Sequence, residues 1–304
     1  MINPGIVALV PIVIWTTRCA AQSGAHERAP AVNEEVAVMD SARELPAWHE
    51  MITNVPGDWA AGAETTVRGS NVPAVAGLCL LTGGLMMADQ WLYRNARDLY
   101  ARSSPVRSGS DLFVQVGNGG THLAVAAGFG LYGWIASDSR SVRTASQTAE
   151  ALIASGIVVQ VLKHITGRES PVEATREGGK WHFFPSWKEY QHHPARYYAF
   201  PSGHITTTMS TVTVIVENYP EVAWLRPVGY VLVGLVGISL VNVGYHWYSD
   251  LPLGLALGYS MGMIAAHREL LSRDAPKGDE TAPYVRLSPA FTPAGGGLML
   301  AVSF

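Results

Sequence analysis

The chain has 304 residues, enough for one large domain or two small ones, and a formal net charge of −3, which argues against a nucleic-acid binder. Charged residues make up only 15% of it, and its 31 glycines suit close helix packing in or near a membrane. The two cysteines, Cys19 and Cys79, imply no disulfide framework, because Cys79 lies in an apolar run.

From the N-terminus, residues 6–17 form a short apolar run, followed by Arg18 and the small residues Ala20 and Ala21. The pattern predicts a secretory signal cleaved near Ala21, or an uncleaved anchor, over 1–21. Residues 22–71 are polar and mildly acidic, with Pro30, Pro46 and Pro56, and read as an exported lead-in with a short amphipathic helix near 46–52. Six apolar segments follow, over 72–88, 122–136, 149–165, 204–216, 228–243 and 253–266. Most are at or below the roughly 20 residues that cross about 30 Å of hydrocarbon. Strand-type alternation is absent from them, so the pattern predicts an all-α protein, a six-helix bundle over 72–268. Residues 89–118 read as a loop carrying Arg94, Arg97, Arg102 and Arg107. Residues 166–200 read as a long loop dense in aromatics and histidines, placed to form a lid or wall for an apolar substrate tail. Residues 269–304 read as an irregular C-terminal tail, in which the last seven residues and 284–287 suggest a short strand or hairpin, or else a mobile end.

Three scraps of this chain carry chemistry. Ala199-Phe200-Pro201-Ser202-Gly203-His204 closes the long loop and opens a Thr-rich apolar helix. Pro201 reads as the first helical residue, Ser202 supplies a hydroxyl, and Gly203 lets a ligand approach the bare backbone. Free N–H groups at a helix start attract anions, and His204 in that turn can hand a proton to the anion held there. Downstream, His246 and Asp250 are four residues apart, so one helical turn makes them neighbours. A carboxylate bonded to one imidazole nitrogen fixes the tautomer and leaves the other nitrogen as a nucleophile. Upstream, Lys163 and Arg168 follow an apolar helix and supply fixed positive charge. Taken singly, each has a plain role: a packed or capping histidine, an aspartate at a helix start, a lysine snorkelling from a helix end. His182, His192 and His193 have no Cys or carboxylate at ligand spacing, so no metal site is expected among them.

In their order, Lys163, then Pro201-Ser202-Gly203-His204, then His246-x-x-x-Asp250, each at the edge of an apolar helix, resembles the type 2 phosphatidic acid phosphatase and haloperoxidase superfamily, over roughly residues 70–268. The resemblance implies that His246 attacks phosphorus and becomes a phospho-histidine, that Asp250 orients it, and that His204 protonates the leaving alcohol. It further implies that Lys163, Ser202 and the Gly203 N–H bind phosphate, with Arg168 as a further candidate, and that no metal or other cofactor is needed. The expected partners are a phosphorylated lipid or small phosphoester and a membrane, in the bacterial inner membrane or periplasm, with no nucleic acid.

Two departures stand out. The family's first block ends in Arg-Pro where this chain has Ser170-Pro171, and its third block opens Ser-Arg where this chain has Ser239-Leu240. An aliphatic chain cannot replace a bidentate guanidinium, and losing one preorganised donor costs roughly a hundredfold to a thousandfold in rate. Arg176 and Arg196 on the long loop are candidates to compensate. The alternatives are transfer of the phosphoryl or phospho-headgroup to another alcohol, a non-catalytic envelope protein with a degenerate site, and a vanadate-dependent peroxidase. Counting spans from an exported lead-in places Lys163 inside, whereas the resemblance implies an outer-face site. A soluble periplasmic bundle, an N-terminal anchor or one non-spanning segment each reconciles the two.

Overall fold

The computed structural model describes residues 49–274, 285–292 and 295–302. The signal or anchor expected over 1–21, and the lead-in as far as residue 48, lie outside them. After one turn at Glu50–Thr53 come α1 (Val55–Val67), α2 (Val72–Arg102), α3 (Ser104–Val116), α4 (Gly119–Ala136), α5 (Ser139–Thr166), α6 (Gly203–Asn218), α7 (Leu225–Val243) and α8 (Leu251–Asp274). The six predicted apolar segments are the cores of α2 and α4 to α8, and the all-α bundle stands. Several helices begin where a side chain accepts a first-turn N–H that has no partner inside the helix. Ser103 accepts from Val106, Asn118 from Gly120, Asp138 from Arg140, and Ser202 from Ile205.

The stretch 89–118 is helical rather than a loop. No Gly or Pro interrupts residues 89–102, and Arg102 pairs with Asp98 one turn back, so α2 runs on past its apolar half. Ser103 then caps α3, whose Val114 joins the core. The second half of the lead-in is also structured. In α1, Trp59 Nε1 donates to the Ala154 carbonyl at 3.0 Å, and Asp58 pairs with Arg268 of α8.

Helix α6 is the centre of the bundle. It is buried on every side, which is the pattern of a core helix rather than a surface one. Two of its threonines are satisfied by the preceding turn: Thr206 Oγ1 donates to the Ser202 carbonyl at 2.8 Å, and Thr208 Oγ1 to the His204 carbonyl at 2.7 Å. One face packs Ile205 and Val212 against Val233, Val236 and Leu240 of α7 and Val114 of α3. The opposite face meets α8 along Gly254, Gly258 and Gly262, one small residue per turn. A Cβ at Gly254 would lie 2.7 Å from the Ser202 carbonyl, and one at Gly262 would lie 2.7 Å from Thr213 Cβ. A Cβ at Gly258 would overlap the Thr206 carbonyl. The two backbones therefore approach as only glycine permits.

Three described helical segments are long and apolar enough to cross a membrane: Gly69–Arg102, Ser139–Thr166 and Leu225–Val243. The apolar window of the first has no buried residue. Leu80 and Met87 on α2, Leu131 and Trp134 on α4, and Val231 and Ile238 on α7 all face outward, Met87 at 91% exposure. An apolar surface this extensive fits lipid rather than water, and the chain reads as a membrane protein.

The C-terminal tail is not irregular throughout. β1 (Val285–Thr292) and β2 (Gly295–Val302) pair antiparallel, with Val285 opposite Val302 and Leu287 opposite Leu300. The alternation of Val285, Leu287, Leu298, Leu300 and Val302 is the period-2 signal behind this hairpin.

The α6–α8 seam makes a stability prediction. Gly258→Ala must push two backbones apart and lowers stability by about 1–3 kcal/mol. Gly83→Ala on α2, where an added Cβ meets nothing within 4 Å, is neutral or stabilising by up to about 1 kcal/mol. Thermal unfolding of the two purified variants in detergent checks the contrast.

Candidate active site

The residues singled out in the sequence converge at one end of the bundle, where two glycine turns set the chain's direction. Helix α5 stops at Gly167, whose φ of 51° is left-handed, and whose N–H bonds the Lys163 carbonyl at 2.8 Å. Helix α7 stops at Gly244, with φ of 94°, and an added Cβ there would press on Val172 and Tyr93. The first turn delivers Arg168 to the site and the second delivers His246.

Helix α6 starts two residues later than expected, at Gly203. Ser202, not Pro201, borders the helix, and Pro201 lies outside it after a cis Phe200–Pro201 bond. The N–H groups of Gly203 and His204 are at the first helical positions, where no intrahelical acceptor exists. Ser202 is fully buried, and its N–H donates to the Asp250 carbonyl at 3.0 Å, tying the start of α6 to the start of α8. Lys163 is buried, and its Nζ lies 3.5 Å from where a Gly203 Cβ would stand and 5.0 Å from the centre of the Tyr198 ring. The ammonium thus lies in van der Waals reach of the Gly203 position at the start of α6.

His204 and His246 face each other with ring centres 6.1 Å apart and planes at 69°. His246 is completely buried. Its Nδ1 sits 2.7 Å from the Ala199 carbonyl, which can only accept, so Nδ1 carries the proton. Its Nε2 is buried with no hydrogen-bond partner among the described residues and keeps its lone pair. Burial holds His246 below the ordinary imidazole range, despite the opposing pull of Asp250, and Lys163 adds to the lowering. Burial first, then the charges of His246, Lys163 and His122, pushes His204 down to about 3.

Two expectations need correction. Asp250 does not make the closest bond to His246. Its Oδ2 accepts the Trp247 N–H at 2.7 Å and stands 3.6 Å from His246 Nδ1, while the Ala199 carbonyl holds the ring. Asp250 closes a single 3-10 turn, Tyr248–Asp250, and so acts first on backbone. Arg168 does not turn toward the gap between the histidines either. Its Nη1 donates to Asp250 Oδ1 at 2.5 Å and to Ser249 Oγ at 2.6 Å. Its Nη2 donates to Asp89 Oδ2 at 2.7 Å and to the Gly178 carbonyl at 2.9 Å. A buried guanidinium goes to buried carboxylates, and both terminal nitrogens are committed.

Sequence reasoning missed Asp89. It is fully buried on α2, and one signal marked it: an acid directly after an apolar run of membrane length. The two absent arginines stay absent. Leu240 is fully buried in the apolar core, and Ser170 is buried with its hydroxyl unpartnered. Arg176 lines an open depression of about 430 Å³ with Lys180, Trp181 and Phe183, beside the site rather than in it. Arg196 is exposed. In the aromatic loop, Trp181 stacks on Phe183 and packs on Phe200, while His164 lies between Trp187 and Tyr190.

A helical bundle carrying two opposed imidazoles beside a buried ammonium and a helix start is the architecture that the motif order led us to expect. Residues 145–271 match the family model of the PAP2 superfamily. Among solved structures, the chain is similar to a transmembrane PAP2-type phosphatidylglycerolphosphate phosphatase from Bacillus subtilis, at 18% identity over 67% of this chain and 98% of that one, with a TM-score of 0.46. It is also similar to Aquifex aeolicus LpxE, at 17% identity over 58% of this chain and 93% of that one, with a TM-score of 0.44. A comparison with curated proteins finds no match.

The depressed His204 makes a binding prediction. With its proton affinity this low, His204 is neutral in the empty site near pH 7. A dianion beside it favours the charged form, so binding draws in a proton. Sulfate, which does not itself titrate here, should therefore bind more tightly as pH falls from about 8 to about 6, by up to roughly tenfold per pH unit. Calorimetry at several pH values checks this, and a slope that survives in His204→Asn contradicts the assignment.

Proposed function

We propose that this protein is a membrane phosphatase that hydrolyses lipid phosphates or diphosphates through a phospho-histidine on His246. The observation that carries the reading is the bare, buried Nε2 on a His246 ring whose centre lies 6.1 Å from that of His204, at the helix start that Lys163 also approaches. In the first step the Nε2 lone pair attacks phosphorus, the bond from phosphorus to the leaving oxygen breaks, and His204 gives that oxygen its proton. Attack and departure are in line, which is why the two imidazoles must stand on opposite sides of one phosphorus. On this reading Lys163, the Ser202 hydroxyl and the N–H groups of Gly203 and His204 hold the equatorial oxygens; the ammonium near Gly203 and the open helix start support it. In the second step His204 takes a proton from water, the oxygen attacks phosphorus, and the bond from phosphorus to Nε2 breaks.

The outward apolar surface of α2, α4 and α7 favours a lipid over a small soluble phosphoester, because it keeps the site next to the bilayer. Within the cell, a site in the bacterial envelope, at the inner membrane, fits the apolar N-terminal run. A second reading has one observation in its favour: Leu240 and Ser170 stand where the superfamily resemblance expects arginine, which suits a slow phosphatase or a transferase that passes the phospho-headgroup to an alcohol.

The test is phosphate release from a panel of lipid phosphates and diphosphates in detergent micelles. Activity is expected to fall by about a thousandfold or more in His246→Ala, to survive chelator, and to yield free phosphate whether or not an acceptor alcohol is added. Product that moves onto the alcohol instead selects the transferase reading, and equal activity in His246→Ala contradicts both.

A further inference from the structure

Behind His246 lies a charge arrangement that reaches outside the segment matched by the superfamily. Asp89 comes from α2, more than fifty residues before position 145. It accepts from Arg168 Nη2 at 2.7 Å, from the Ser249 N–H at 3.1 Å, and from the Ser249 hydroxyl. Arg168 is thereby divided between two fully buried carboxylates, Asp89 through Nη2 and Asp250 through Nη1. With both carboxylates ionised, one guanidinium between them leaves the trio with one net negative charge. Paired with Asp250 alone, the same guanidinium would cancel that carboxylate and draw it away from His246.

We propose that Asp89 is a positioning residue for His246: by taking half of Arg168 it leaves part of the Asp250 charge uncancelled for the imidazole 3.6 Å away. The role fits the phosphatase reading, because an imidazole that attacks phosphorus gains positive charge as the bond forms, and a carboxylate with charge to spare stabilises it. The geometry assigns each half of the guanidinium its task. The Asp89 and Gly178 acceptors anchor Nη2, which aims Nη1 at Asp250 Oδ1 and keeps Oδ2 on the Trp247 N–H and near His246. Helix α2 is also a candidate membrane span, so this contact fixes a lipid-facing helix to the reactive loop.

The groups that face His246 are Lys163 from α5, Tyr198 from the long loop, His204 from α6 and Asp250 before α8, with Tyr245 beside His204 and with Arg168 and then Asp89 from α2 behind Asp250. Of these, Asp89→Asn removes a negative charge while keeping size. The expected result is a fall in kcat of about tenfold to a hundredfold at nearly constant KM, with the acid limb of the pH profile moving to lower pH. Ser249→Ala removes the hydroxyl that bridges Asp89 and Arg168 but no charge. It is expected to lower kcat less and to leave the acid limb in place. A measurement independent of activity is the titration of His246 by NMR of ring-labelled histidine in detergent, assigned with His246→Gln. The His246 midpoint is expected to drop in Asp89→Asn and to stay in Ser249→Ala. An unmoved midpoint in folded Asp89→Asn, or equal shifts in both variants, overturns the inference. Absence of phosphate release from the unaltered protein overturns the phosphatase reading instead and leaves the titration to decide the role of Asp89.

Discussion

The structure depends on how closely α8 can lie against α6. Gly254, Gly258 and Gly262 remove the side chains that would hold the two helices apart, and the residues of α6 that they meet are Ser202, Thr206, Ser210 and Thr213. In a membrane bundle the hydrophobic effect gives little drive for helix association, so close van der Waals packing must supply it. The seam has a chemical consequence at its end. There the Ser202 N–H reaches the Asp250 carbonyl, and the His204 turn and the His246 loop are brought to the same place. Any residue larger than glycine along the seam would separate two halves of a site whose members are 42 residues apart in the chain.

A second constraint is electrostatic. A guanidinium and two carboxylates without exposed surface sit directly behind the reactive loop, and burial on this scale is tolerated because nearly every polar atom has a partner. The unpartnered atoms there are few, and His246 Nε2 is one of them. A buried acceptor with nothing to accept from is costly in a merely structural histidine. On the phosphatase reading we propose, it is the condition of a nucleophile awaiting its substrate.

Much of this was legible in the chain. Six apolar segments gave six helices, because helix length and composition are local properties. The pairing of His204 with His246 was implied by the superfamily resemblance that the motif order carries. What was not legible depended on tertiary contact. The Ala199 carbonyl holds His246 from 47 residues away, and no spacing rule carries that. Arg168 looked like a phosphate ligand because a cation near an anion site usually is one; the buried Asp89 that claims it enters from a different helix. The run from 89 to 118 looked like a loop because its polarity masked continued helix propensity. The hairpin at 285–302 showed only a weak alternation, diluted by Gly295, Gly296 and Gly297.

The central claim is that a covalent bond forms between phosphorus and His246. It is tested most directly by quenching the protein in alkali during turnover of a lipid phosphate labelled on phosphorus, and mapping the modified peptide by mass spectrometry. The account predicts a base-stable, acid-labile label on His246, lost in His246→Ala and accumulating when His204 is replaced by Asn. Label on any other residue, or turnover with no labelled protein at all, would contradict it.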